Sequence, residues 1–404
     1  MKNRQDYINT LLEFLDKDVI KVIMGIRRCG KSTILKLFAD ELKRRNIPDK
    51  SIIHINFESM KYKDITDCDL FYDYIGDRIP KSGKAYLLID EPQNVIGWER
   101  AVNSFKVDFD CDIYITGSNA KLLSSELSTL ISGRYVEIEA YPLSYKEYLE
   151  FHKVEKSDKT FQDYLKFGGF PSLAELGENA DRINDVLDGI YNTVIVKDVF
   201  AKNEIKDEEL LQKIVAFLAD NIGNSTSSNS IANTLVSVKR ITDTKRSPAA
   251  STVENYIGAL KKAFIFYEAP RYDIKGKQRL KTLGKYYIVD TGLRNMLLGY
   301  RDVDRGRVLE NVVFLELKRR GYNIFVGKVG ENEVDFIAEK ANHKMYIQVC
   351  ETLGDESTLK RELAPLMAIK NNYEKYIITN DRTFVENYEG IMIKTAADWM
   401  CDTT

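Results

Sequence analysis

A chain of 404 residues is long enough for two or three domains of about 150 residues, each with its own core. Apolar residues make up 44% and charged residues 30%, which excludes a disordered or fibrous chain, and a net charge of −2 leaves the choice of partner to local clusters of charge. Five cysteines without a C-x-x-C pair and three scattered histidines argue against a disulfide framework and a zinc site.

Residues 1–17 read as a polar-faced helix without the apolar segment of a signal peptide. No apolar run approaches the length of a membrane span, so the expectation is a cytoplasmic chain without a membrane partner. Residues 19–24 then form a short β-branched run, the pattern of a buried parallel strand. It leads into Gly25-Ile26-Arg27-Arg28-Cys29-Gly30-Lys31-Ser32, which matches G-x-x-x-x-G-K-[ST], and 33–42 beyond it place apolar residues at helical spacing. A glycine-containing turn between strand and helix lets backbone N–H groups and the helix N-terminus surround an anion. The expected phosphate-binding residues are therefore Gly25, Ile26, Arg27, Arg28, Cys29, Gly30, Lys31, Ser32 and Thr33. In that setting Lys31 reaches the β- and γ-phosphates of ATP and the Ser32 hydroxyl ligates Mg2+.

Residues 51–57 read as a second strand, adjacent to the first in a parallel sheet, and 69–75 as the next helix, closed off by Pro80 and Gly83. Ala85-Tyr86-Leu87-Leu88-Ile89-Asp90-Glu91 is an apolar strand ending in two acids, the partner a phosphate loop needs. Asp90 would orient Mg2+ and Glu91 would polarise the attacking water; the plainer alternative is two acids facing solvent. Residues 112–116 form a further strand, followed by Gly117-Ser118-Asn119. Thr116, Ser118 and Asn119 fall where open α/β sheets hold ligands, so one of them senses the γ-phosphate or positions water; a helix N-cap suits Ser118 or Asn119 equally well. Ser132-Gly133-Arg134 carries an arginine into a strand that ends near residue 138. Arg134 either neutralises the transferring phosphoryl group, from the same subunit or from a neighbour in a homo-oligomer, or pairs on the surface with Glu137 or Glu139.

Together with Tyr141-Pro142-Leu143-Ser144-Tyr145-Lys146-Glu147-Tyr148, these motifs resemble the AAA-superfamily ATPases of bacteria and archaea. More narrowly, they resemble the branch whose P-loop module is joined to a carboxy-terminal domain of unknown function. The resemblance implies an α/β P-loop NTPase sheet over 1–153 and a helical lid over 154–204, of which Gly168-Gly169-Phe170-Pro171 is a signature. From the pattern alone that tetrapeptide reads only as a turn in a mostly helical stretch, 161–200.

Residues 208–221 form an amphipathic helix, 223–229 a polar loop, 230–235 a short helix, and 251–262 a third helix with Ser251 as its N-cap. Strands at 264–269 and 286–289 follow, and three helices before a two-stranded hairpin is the order of a winged helix-turn-helix, expected over 205–304. Here Lys239, Arg240, Lys245, Arg246, Lys261, Lys262, Arg271, Lys275, Lys277, Arg279, Lys281 and Lys285 are answered within 239–285 only by Asp243, Glu254, Glu268 and Asp273. Such a basic excess suits the backbone of double-stranded DNA, while winged helices also serve protein partners.

From 305 to 404, a helix over 307–317 ends at Gly321, and strands follow at 322–326, 333–338 and 344–350. The order resembles the restriction-endonuclease-like fold, whose metal site uses a helix acid, a strand Asp and a D/E-x-K pair. Glu310 and Asp335 match the first two, but Gln348-Val349-Cys350 stands where the acid and lysine belong. The change removes one ligand for a hard cation and the lysine that would stabilise the attacked phosphate. Nothing in the sequence requires Lys344 or Lys318 to stand in for it. The expected function is an ATP-hydrolysing AAA-type switch or motor acting on DNA. The alternatives are a STAND-type signalling scaffold recruiting a protein partner, and an ATP-regulated metal-dependent nuclease.

Overall fold

The computed structural model describes residues 4–119, 134–177, 179–200, 203, 205–237, 248–274, 276, 278–279, 284–382 and 386–402. The chain forms two compact units, Met1–Tyr141 with Lys262–Phe264, and Pro142–Lys261 with Ile265–Thr404. The units part at 141–142. All five cysteines are free. Among the described residues no helix is long and apolar enough to cross a membrane.

The first unit is built on five parallel strands: β1 (Ile20–Met24), β2 (Ile52–Asn56), β3 (Ala85–Asp90), β4 (Cys111–Gly117) and β5 (Tyr135–Glu139). Their order is β2-β3-β4-β1-β5. Every residue of β1, β3 and β4 is buried, as befits strands covered on both faces, whereas β2 alternates between buried and half-buried positions. This corrects the expected pairing: β2 lies at the sheet edge beside β3, with β3 and β4 between it and β1. Among the described residues four helices flank the sheet: α1 (Gln5–Glu13), α2 (Lys31–Arg44), α3 (Cys68–Gly76) and α4 (Trp98–Asp108). In α2 the i, i+4 repeat of Ile34, Phe38 and Leu42 is fully buried, and Phe38 packs on Tyr114 of β4 with ring centroids 4.6 Å apart.

The second unit opens with the helices Tyr145–His152, Asp158–Phe167 and Ala180–Val194. The turn at Gly168-Gly169-Phe170-Pro171 has a steric cause. A Cβ on Gly168 (φ +78°) would lie 2.1 Å from Asp290 Oδ1, and one on Gly169 would lie 2.4 Å from the Leu143 carbonyl oxygen. The Asp290 carboxylate accepts from Gly169 N (2.7 Å) and caps the helix Thr291–Leu298 through Leu293 N (3.0 Å). Burial pushes the Asp290 carboxyl up to about 6, against the pull of the backbone N–H groups around it.

Helices Glu208–Asp220, Ser228–Ser237 and Ala250–Lys262 follow. Ser251 is thus inside the third helix and is not its N-cap. A small antiparallel sheet of β6 (Ser225–Thr226), β7 (Phe266–Ala269) and, further on, Gly284–Ile288 accompanies them, with Tyr287 opposite Tyr267. Two intervening strands, β8 (Arg271–Asp273) and β9 (Gln278–Arg279), do not form a plain hairpin loop before β10 (Gly284–Ile288). They extend the carboxy-terminal sheet, β8 running parallel to β11 (Asn323–Val329). That sheet continues through β12 (Asn332–Lys340), β13 (His343–Cys350), β14 (Glu374–Thr379), β15 (Asn387–Tyr388) and β16 (Ile391–Thr395), in the order β15-β16-β14-β13-β12-β11-β8-β9. Phe325, Ile337, Tyr346, Leu366 and Ile377 lie at its core. The helix expected over 307–317 spans Arg305–Arg319, and Gly321 follows at φ +79°.

Candidate functional site

At the carboxyl edge of the first sheet, register alone brings the strand ends together: Asn56 opposite Asp90, and Met24 opposite Gly117. The segment Gly25–Ser32 leaves β1 there and enters α2, with Arg28 at φ +65° and Gly30 at φ +103°. Gly25 is required by packing, because a Cβ would lie 2.0 Å from the Ala140 carbonyl oxygen. Ile26 and Cys29 face inward and are fully buried; the Cys29 thiol donates to Ala140 O (3.2 Å), and burial raises its pKa. Lys31 is buried and its ammonium donates to Gly25 O (2.9 Å) and Ile26 O (3.1 Å), so it closes the mouth of its own loop. Arg27 pairs with Glu58 (3.1 Å), and Ser32 and Thr33 stand half-buried in the first turn of α2.

Asp90 ends β3 with no exposed surface, and its carboxylate accepts from Asn56 Nδ2 (2.9 Å) and from the Thr116 hydroxyl. Glu91 lies just past the strand in the left-handed region (φ +54°), which turns its side chain out of the strand's alternation. Its backbone N donates to Thr116 Oγ1 (3.2 Å) and its carboxylate accepts from Gln93. Burial raises the Glu91 carboxyl, opposed by the charge of Lys31, the Gln93 bond and the charge of Arg27. Ser118 and Asn119 are buried at the end of β4. Residues 120–133 lie outside the described residues, so the alternative of a helix cap at Ser118 or Asn119 stays open, as does the placement of Ser132 and Gly133.

Arg134 does not join this group. Its carbonyl oxygen accepts from Ile20 N (2.9 Å) at the start of β1, and Tyr135 is in register with Ile20. β1 and β5 are parallel, so Arg134 sits at the amino edge of the sheet, a strand length of about 16 Å from the P-loop edge. A role on the phosphates of its own chain is thereby corrected.

Two contributors escaped the sequence. Arg4, almost wholly buried, donates to Cys29 O (2.7 Å) and Tyr141 O (3.0 Å) and lies over the Tyr7 ring (4.6 Å), tying the P-loop backbone to the segment after β5. Nothing in residues 1–17 signals this. Asn56 was visible by the rule that singled out Thr116, a polar residue at the carboxyl end of a strand.

The second group of expected residues also meets. Glu310 on the helix Arg305–Arg319 and Asp335 on β12 are bridged by Lys285 of β10, whose ammonium lies 3.0 Å from Glu310 Oε1, 3.1 Å from Asp335 Oδ1 and 3.1 Å from Glu333 Oε1. Tyr287, two residues along the same strand face, donates to Glu310 Oε1 (2.7 Å). Burial pushes the Glu310 carboxyl up to about 7, against the pull of Lys285. Lys344 does not reach the pair; it is bound to Glu339 (2.6 Å).

The basic segment is correspondingly less bare than its sequence window suggests. Lys285 belongs to this buried cluster, Arg271 pairs with Glu333 (3.4 Å) and Lys261 with Glu268 (2.5 Å). Lys239, Arg240, Lys245, Arg246, Lys275, Lys277 and Lys281 lie outside the described residues.

The parallel sheet and the loop at its carboxyl edge define a P-loop nucleotide-binding protein of the α/β class. Residues 17–149 match the family described as an AAA domain, and 158–304 match a domain of unknown function. An uncharacterized protein of Haemophilus influenzae is 41% identical over 99% of this chain and 98% of its own length. One from Methanocaldococcus jannaschii, MJ1544, is 31% identical over 90% of this chain and 83% of its own. The Walker-type ATPase PABY2304 of Pyrococcus abyssi shares the fold at 15% identity, with a TM-score of 0.52 over 74% of this chain and 96% of that one. The chain belongs to the family of these two relatives, and its residues 17–149 form the part that matches an AAA domain.

Proposed function

We propose that the first unit binds ATP with Mg2+ and hydrolyses it as an AAA-type switch or motor. The observation that carries this reading is the meeting of the P-loop with buried Asp90, Glu91 and Thr116 along one sheet edge. The residues suit the group they would hold: a buried lysine bound to loop carbonyls is ready to exchange them for phosphate oxygens, and the buried Asp90 carboxylate, held by Asn56 and Thr116, suits a hard cation. In this reading the backbone of residues 25–33 cradles the α- and β-phosphates, Lys31 neutralises the β/γ-oxygens, and Ser32 and Asp90 hold Mg2+. When bound, Mg2+ supplies charge neutralisation between the β- and γ-phosphates. Glu91 takes the proton of the attacking water, a role favoured by its raised pKa, and Thr116 and Asn119 fix the geometry around it. Arg134 serves the phosphate of a neighbouring copy in a homo-oligomer.

We further propose that residues 205–304 act as a winged helix on double-stranded DNA, supported by the clustering of Lys239, Arg240, Lys245 and Arg246 in one short run. Steady-state ATP turnover with and without duplex DNA tests both parts. ATP uptake with negligible turnover, unchanged by DNA, would replace the motor by a signalling scaffold. Failure to take up MgATP at all would remove the nucleotide reading.

A further inference from the structure

We propose that the acid cluster of the carboxy-terminal domain is not a metal centre but the socket of an internal cation: the Lys285 ammonium stands where a divalent ion would, and fastens β10 to the helix Arg305–Arg319 and to β12.

The donor set is decisive. Lys285 is 4% exposed, and an ammonium has three protons to give. Three carboxylates, on Glu310, Asp335 and Glu333, receive it at 3.0–3.1 Å. A buried charge persists only when paired in this way. The oxygens that would face a metal are already engaged. Glu310 Oε1 takes both Lys285 and the Tyr287 hydroxyl, and Asp335 Oδ2 takes Val349 N (3.0 Å). Mg2+ demands near-octahedral oxygen ligation at about 2.1 Å, which these donors would have to vacate.

The two departures in β13 point the same way. Gln348 sends its amide nitrogen to Glu362 Oε2 (3.0 Å), and its oxygen accepts from Asp335 N (3.3 Å), so it braces Asp335 and offers no anionic ligand. Cys350, buried where the lysine of the motif would stand, brings no positive charge to an attacked phosphate. Among the described residues no three of His, Cys, Asp and Glu are placed to hold one metal ion.

The arrangement also has a mechanical consequence. Lys285 belongs to the small sheet of β6, β7 and β10, whereas its three acids belong to the helix and β12 of the carboxy-terminal domain. The ion cluster is therefore a rivet between the proposed winged helix and the nuclease-like domain, and the two move as one body.

The test uses the full chain without nucleotide. Mn2+ binding is followed by electron paramagnetic resonance for the wild type and for Glu310→Gln and Asp335→Asn, all retaining Lys285. Indistinguishable titrations are expected; Mn2+ uptake by the wild type that either substitution removes would overturn the proposal. Lys285→Met is then compared with Lys285→Met/Glu310→Gln by thermal unfolding. The expected result is that the single variant melts below the double, because the second change relieves stranded carboxylates. A double variant that melts lower by the full sum of both single losses would also overturn it. Plasmid cleavage in Mg2+ or Mn2+ that is abolished by Glu310→Gln would do the same.

Discussion

Lys31, Glu91, Arg4 and Asp290 each answer a different electrostatic demand, and each yields its own measurement. Removing the Lys31 ammonium takes away the charge that would replace the loop carbonyls on phosphate, so Lys31→Ala should abolish saturable MgATP binding in a filter or calorimetric titration. Glu91→Gln keeps shape and loses basicity. It should retain ATP while lowering turnover by about 10² to 10⁴-fold, the usual scale of lost general-base catalysis, as read by single-turnover hydrolysis. Arg4→Met leaves the Cys29 and Tyr141 carbonyls without their buried donor, so chemical denaturation of the first unit should show a loss of about 3 kcal/mol, with weaker MgATP binding. Asp290 has a folded pKa of about 6 against an ordinary 3.8, so the native state holds its proton more tightly than the unfolded chain. Its contribution is fully present below about pH 4 and is lost as pH rises through about 6, a difference of roughly 3 kcal/mol. Asp290→Asn should flatten the corresponding slope in thermal unfolding between pH 4 and 7.

At the scale of elements, the local turns were legible and the distant neighbours were not. The run 19–24, the P-loop and the helix beyond it could be read because their chemistry is contiguous: β-branched residues, a tight turn and an apolar repeat within about 25 residues. The position of β2 could not, since strand order depends on which crossovers pack best and leaves no mark in the strand itself. Arg134 shows the same limit, as its distance from the P-loop follows from the parallel pairing of β5 with β1. Lys285 was counted as one more surface cation because its acids lie 25 to 50 residues onward; the warning was a lysine inside the apolar run of β10. The Gly168-Gly169 turn was visible as a turn, but its cause, a carboxylate more than 120 residues away, was not. Gly168→Ala should therefore cost about 3 kcal/mol in urea unfolding, through positive φ and collision with Asp290.

For the whole molecule, charge and symmetry govern the proposed partner and assembly. Duplex DNA binding through the proposed winged helix should weaken steeply between about 50 and 200 mM salt, as counterion release requires, and charge reversal across Lys239 and Arg240 should reduce the salt slope. Mixing Arg134→Ala chains with Lys31→Ala chains, each inactive alone, should restore part of the ATP turnover if each supplies what the other lacks. The amino-edge position of Arg134 carries a geometric corollary. A chain whose arginine meets another copy's phosphates presents one end of its sheet to the opposite end of the next, and such a head-to-tail contact has no twofold axis. Repeated, it closes into a ring or runs on as a helical filament, and light scattering with MgATP should then find assemblies larger than a symmetric pair.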